Sequence, residues 1–171
     1  MPELATPRLL LRPLTPGEAR KLLAREPLES LRFAPGYPMP DTADGLGFLL
    51  NHQVEDFGFY LVVRTDDALV VGEIGFVGPP ADGVVAIGYA IVPVERGQGY
   101  ATEAIRGLSD WALRQPGVGE VQAQTLPDNE PSARALLRAG FAEAEPGENV
   151  RRFARRGYPG LSAISSPPSE S

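Results

Sequence analysis

The chain has 171 residues, 43% hydrophobic and 22% charged, with a formal net charge of −6, one histidine and no cysteine. That is enough chain for one domain with a core, and it lacks the basic balance of a general nucleic-acid binder. It also lacks a thiolate nucleophile, and with His52 alone it has almost no raw material for a histidine metal cluster or a Ser-His-Asp triad, so no metal is expected. No apolar run reaches the roughly 18 residues of a membrane span. The N-terminal MPELATPRLLLRPL carries arginines inside its apolar run and has no small-residue cleavage site, so a cytoplasmic protein with no membrane partner is expected.

Arg8 to Leu14 predicts a first strand closed by Pro13. Thr15-Pro16-Gly17-Glu18 has the cap, the first-turn proline and the third-position glutamate of a helix start, and the helix runs to about Arg25. Residues 27–47 are rich in proline and glycine and predict a broken region with two short helices, on the substrate side. Phe57 to Arg64 and the apolar run from Leu69 to Gly78 are two strands of a hairpin around TDDA, and VVAIGYAIVP is a third, mostly apolar and therefore central. From Gly99 a helix extends to about Gln115, with Ala101, Ala104, Ile105, Leu108, Trp111 and Ala112 on one face.

Pro116-Gly117 stops that helix, and GEVQAQTL alternates as a strand. Asp128 or Asn129 caps a helix through SARALLRA that Gly140 ends. After Phe141 the pattern weakens: NVRRFARR predicts a last strand and GLSAISSPPSES a flexible tail, giving one domain over 1–158 and a tail over 159–171. The order, an antiparallel meander followed by β-α-β with one parallel pair, is mixed α/β.

The chemistry concentrates in PVERGQGYATEA, Pro93 to Ala104. A strand ends, the chain turns through Arg96-Gly97-Gln98-Gly99, and a helix begins. The first N–H groups of a helix have no internal partner and lie at the positive end of its dipole. Glycines let a ligand approach the backbone, so the junction is either an anion cradle suited to phosphate or a tight turn. There is no Gly-Lys-Ser/Thr and no Gly-x-Gly-x-x-Gly, and the preceding strand belongs to a meander, so neither a Walker loop nor a Rossmann start fits.

RGQGYA, Arg96 to Ala101, resembles the Arg/Gln-x-x-Gly-x-Gly/Ala motif of the GNAT N-acetyltransferase superfamily. GYAIVPVERGQGYATEAIRGLSDWA is similar to its RimJ/RimL branch, as are DNEPSARALLRAGF, Asp128 to Phe141, and the opening TPRLLLRPLTPGEA. The resemblance covers Thr6 to Phe141 and implies a GNAT-like fold with a mixed, mostly antiparallel sheet. It also implies acetyl-CoA as cosubstrate, lying between two splayed parallel strands, Val84–Val92 and Glu120–Thr125. The pyrophosphate would sit on the amides of Gln98, Gly99, Ala101 and Thr102, with Gly97 in the same loop and Arg96 as a charged partner. The splay would expose the backbone of Ile91 and Val92 to the pantetheine arm; Asn129 would contact the cofactor and Ser132 would lie near the sulfur. Acetyl transfer to a primary amine, at a protein N-terminus or in a small molecule, follows; a homodimer is compatible with the branch.

Transfer by direct attack needs an unprotonated amine, a stabilised oxyanion and a proton for the leaving thiolate. A backbone N–H at a strand bulge, Ile91 or Val92, serves the oxyanion. The family's tyrosine slot holds Leu136, so Ser132 replaces it as the candidate acid, with a helix first-turn role as its alternative. Glu73 is the candidate base, set against plain polar alternation. Glu103 in the first helical turn and Trp111 are expected to be structural, and Tyr89 either contacts substrate or packs, with packing favoured. The cluster Arg151 to Arg156 touches the 3′-phosphate or an acidic substrate, or is a charged edge strand, and the edge strand is favoured. A non-catalytic acyl-CoA module and a nucleotide binder stay open as rival readings. The longer C-terminal end of the family, with two further strands, is not evident after Phe141.

Overall fold

The computed structural model describes residues 1–52 and 56–158, so the expected tail at 159–171 lies outside the described residues. The elements are β1 (Leu4–Ala5), β2 (Leu9–Pro13), α1 (Pro16–Leu23), β3 (Arg32–Phe33), α2 (Thr42–His52), β4 (Phe59–Arg64), β5 (Leu69–Phe76) and β6 (Val84–Ile91). After a short 3-10 turn come α3 (Tyr100–Leu113), β7 (Glu120–Thr125), α4 (Glu130–Arg138), β8 (Ala142–Gly147) and β9 (Val150–Arg156). The expected mixed α/β fold is present. The start of α1 is a capping box: Glu18 N–H donates to the Thr15 hydroxyl and Thr15 N–H to the Glu18 carboxylate, at 3.2 and 3.0 Å.

One nine-stranded sheet runs β1-β2-β4-β5-β6-β7-β9-β8, with β3 added in parallel to β5. Strands β2, β4, β5 and β6 are antiparallel neighbours, and β6 and β7 are the parallel pair made by the α3 crossover. Side chains alternate between two cores. Val71, Ile74, Ile87 and Ile91 pack with Ile105 and Leu108 of α3 and Leu136 of α4, whereas Leu61, Val63 and Val70 pack with Ala19 and Leu22 of α1 and Leu46 and Leu49 of α2.

Two expectations change. The broken region contains one two-residue strand, β3, and the start of an eleven-residue helix, α2, in place of two short helices. The end of the chain supplies two strands, not one: β9 pairs with β7 along six residue pairs, and β8 pairs with β9 at the sheet edge. The sequence AEAEPG hides β8 because the strand is exposed almost throughout and carries glutamates and a proline, which suit an edge and give no apolar alternation.

The parallel pair opens partway. Val84 to Ile87 are in register with Glu120 to Ala123, and pairing stops there although β6 continues to Ile91. On its other side β6 stays in its ladder: Val77 N–H donates to the Ala86 carbonyl and Val92 N–H to the Val71 carbonyl, both at 2.9 Å. In an antiparallel ladder alternate residues turn the other way, so the N–H and C=O of Tyr89 and Ile91 face the open seam. The opening therefore comes from lost pairing with β7; the register shift along the meander lies between β4 and β5, where Val71 of β5 is the extra residue opposite Val62 and Val63, not in β6.

Candidate active site

The seam ends at the glycine loop. Gly97 and Gly99 have φ of +79° and +81°, the left-handed region, and Gly99 is the N-cap of α3. A Cβ at Gly97 would meet nothing within 4 Å, so that glycine serves the backbone angle rather than space. Glu103 N–H makes the first helical bond, to the Gly99 carbonyl at 3.1 Å, so the amides of Tyr100, Ala101 and Thr102 precede the helical ladder. The loop is fastened at two points: Arg96 Nε donates to the Ile91 carbonyl at 2.9 Å, and Arg8 Nη1 donates to the Gln98 carbonyl at 2.8 Å.

Glu103 anchors this arrangement. Its carboxylate accepts from the Thr6 hydroxyl and the Arg8 N–H, both at 2.6 Å, and from Arg8 Nε at 2.8 Å. Burial pushes its pKa up, but these donors outweigh that and hold it below the ordinary carboxylate value. The expected structural role of Glu103 is thus met by fixing the chain before β2 onto α3.

A cavity of about 520 Å³ gathers eight of the expected residues: Ile91, Arg96, Gly97, Gly99, Ala101, Thr102, Asn129 and Ser132. Tyr89, Ala90 and Asp41 line it too. Gln98 and Val92 do not. Val92 is fully buried and its N–H is bonded to Val71, so it is not a free oxyanion donor; the N–H that faces the seam is that of Ile91. Asn129 caps α4, its side-chain oxygen accepting from Ser132 N–H at 3.2 Å. The Ser132 hydroxyl lies 2.5 Å from the Tyr89 hydroxyl, which gives Tyr89 a polar partner across the seam beyond the packing role expected of it. Leu136 is fully buried in the core.

Glu73 lies outside that cavity. It pairs with Ala90 across the β5–β6 ladder, so the two side chains share the face opposite Tyr89. It is 7% exposed and accepts from the Tyr37 hydroxyl at 2.9 Å. Burial raises the Glu73 pKa, hydrogen bonds from Tyr37 and Thr42 lower it in part, and the Asp41 charge raises it again. A buried carboxylate with arranged donors is more than polar alternation. Tyr37 and Asp41 carry no periodic signal because they sit in the irregular stretch before α2, and only the fold brings them to Glu73.

The remaining candidates have partners within the fold. Trp111 packs against Phe57 and Phe76, and His52 stacks on Phe48 at the surface. In the arginine cluster, Arg151 pairs with Glu130 and Glu143, Arg155 with Asp110 and Arg156 with Glu120. Its strand β9 lies between β7 and β8, so it is not the edge strand expected. Among the described residues no three His, Cys, Asp or Glu gather to hold a metal, and no helix is long and apolar enough to cross a membrane.

The family model for the "Acetyltransferase (GNAT) domain" matches residues 8–142. The chain belongs to the GNAT acetyltransferase family. Among curated relatives, the GNAT chain is 34% identical over 92 residues to the uncharacterised N-acetyltransferase YjdG of Bacillus subtilis, a match spanning 53% of this chain and 55% of that one, about half of each. It is 29% identical over 153 residues to YoaA, another uncharacterised N-acetyltransferase of Bacillus subtilis, covering 82% of both. Among solved structures, an acetyltransferase from Agrobacterium tumefaciens superposes with a TM-score of 0.67 at 22% identity, over 92% of this chain and 95% of that one. RimL, a ribosomal L7/L12 alpha-N-protein acetyltransferase in complex with coenzyme A, superposes with a TM-score of 0.67 at 19% identity, over 91% and 98%. These neighbours share the fold of this chain.

Proposed function

We propose that the protein moves the acetyl group of acetyl-CoA to a primary amine, at a protein N-terminus or in a small molecule, by direct attack on the thioester. The observation that carries this is the seam between β6 and β7, which opens after Ile87 and leads to the unbonded amides at the start of α3. Those amides, with the two left-handed glycines, suit a pyrophosphate. The amides of Gln98, Gly99, Ala101 and Thr102 would hold it, with the rest of the Arg96 guanidinium beside it. Asn129 and Ser132 would border the pantetheine arm from α4, and the Ile91 N–H would meet the negative charge developing on the carbonyl oxygen.

The amine would arrive from the side of α2, where Asp41 lines the cavity. Glu73 would take its proton; because Glu73 lies behind Ala90, a bridging water is the route. Ordering both reactants in one slot supplies much of the acceleration. The buried Leu136 in the tyrosine slot favours a second reading, a module that binds acyl-CoA without turnover.

The deciding experiment is a thiol-release screen with acetyl-CoA over N-terminal peptides, polyamines, amino acids and aminoglycosides, beside calorimetry with CoA and ATP. Amine-dependent release is expected. Binding of CoA without release would favour the module, and tight ATP binding with no CoA binding would reject both.

A further inference from the structure

Tyr89 stands in the stretch of β6 that has lost its β7 partner. It shares a face with Ile87 and Ile91, so its side chain leaves the sheet toward α3 and α4. Its hydroxyl crosses to the first turn of α4 and lies 2.5 Å from Ser132 Oγ and 3.3 Å from the Ser132 carbonyl oxygen. The shorter distance is at the tight end of O–H···O hydrogen bonds. Both residues line the cavity that receives the loop amides. The other tyrosine lining it, Tyr100, is 9% exposed with its ring beneath the Arg8 guanidinium, which removes it from the reacting end.

Two hydroxyls in series do what one cannot. A serine hydroxyl is a poor acid, but it accepts one hydrogen bond while donating another. A phenol is a better acid, yet Tyr89 already points at Ser132. We propose that Tyr89 is the proton source for the leaving thiolate, acting through the Ser132 hydroxyl. This rests on the acetyl-transfer reading and completes it by filling the acid role that Leu136 leaves empty.

In the step, the amine nitrogen forms its bond to the acetyl carbon and the carbon–sulfur bond breaks, its electron pair going to sulfur. Sulfur takes the proton of Ser132 Oγ, and that oxygen takes the phenol proton of Tyr89 in the same movement. The nitrogen loses its surplus proton to the base, which passes it to solvent, and the tyrosinate regains one from solvent, so the sum is amine plus thioester to amide plus thiol. Burial raises the Tyr89 pKa and the Ser132 hydrogen bond offsets this only in part, so the phenol holds its proton at neutral pH.

The test is a double-mutant cycle of Tyr89→Phe and Ser132→Ala in the full chain, with kcat from thiol release, acetyl-CoA Kd from calorimetry, and Tm. Each single change is expected to lower kcat about 100-fold with Kd within about twofold, and the double no further, because one relay has been broken twice. Ser132→Thr keeps the hydroxyl and is expected to recover at least about tenfold over Ser132→Ala. Should Tyr89→Phe not fold, the contrast between Ser132→Ala and Ser132→Thr decides, and equal rates in those two reject the relay. Wild-type turnover with an unimpaired Tyr89→Phe, or single losses that multiply in the double, overturns the proposal alone. No thiol release by the wild-type chain with any amine overturns the transfer reading and the relay with it.

Discussion

The Tyr37 hydroxyl donates to the Glu73 carboxylate at 2.9 Å, joining the irregular segment before α2 to the middle of β5. Across the sheet Glu73 faces only Leu61 on β4 and Ala90 on β6, so its polar surroundings come from Tyr37, Asp41 and Thr42. Tyr37 is therefore a positioning residue for the proposed base. Its hydrogen bond favours the charged carboxylate, so Tyr37→Phe is expected to move the acid limb of the kcat/KM profile to higher pH, leaving the plateau within about threefold. Asp41→Asn removes a nearby negative charge and is expected to move the limb the other way. A limb that stays still in both variants would take Glu73 out of the base role.

The same burial has a stability consequence. A carboxyl whose folded pKa lies above its ordinary value of 4.5 binds its proton more firmly in the folded than in the unfolded state. Stability is then full below 4.5 and is lost as pH rises through the folded value. Glu73→Gln abolishes that loss while leaving an acceptor for Tyr37. Expected are a Tm gain on the order of a few degrees at pH 7, none near pH 4, and a fall in kcat of about 100-fold. Thermal melts at the two pH values, beside a rate assay, check this; equal melting at pH 7 would contradict a destabilising buried charge.

The sheet, the crossover helix and the glycine loop are legible in the sequence because each rests on a local rule: strand alternation, a 3.6-residue apolar stripe, a glycine pair at a helix mouth. Strand β8 is not, since an exposed edge with glutamates and a proline needs no pattern. Val92 and Ile91 look equivalent as letters, and only the alternation of the β5 ladder makes one bonded and the other open. Tyr89 reads as a packing aromatic on a central strand. Its partner is 43 residues away, and no local signal reports that distance.

At the loop, Gly99 holds φ +81°, and a Cβ there would approach the Arg8 side chain at 3.3 Å. Gly99→Glu adds backbone strain of about 1 kcal/mol and a negative charge at the positive end of α3, where the pyrophosphate is proposed to sit. An acetyl-CoA Kd raised at least about tenfold is expected by calorimetry, against a Tm loss of only a few degrees. Unchanged affinity would reduce the glycines to a tight turn.

Glu103 provides the opposite electrostatic case to Glu73. Its folded pKa lies below its ordinary value of 4.5 because three donors favour the charged form despite burial. Its stabilisation is therefore present above 4.5 and lost as pH falls through the folded value. Glu103→Ala leaves the Thr6 hydroxyl and the Arg8 guanidinium without their acceptor and frees the segment before β2 from α3. A loss of about 1–3 kcal/mol at pH 7 is expected, a Tm drop of several degrees that shrinks as both proteins are acidified. Acetyl-CoA affinity is expected to weaken less than in Gly99→Glu, because Arg8 still reaches the Gln98 carbonyl. Denaturation at pH 7 and pH 4 with calorimetry on the folded variant separates the two effects; a difference from wild type that does not narrow on acidification would show that Glu103 contributes packing rather than charge.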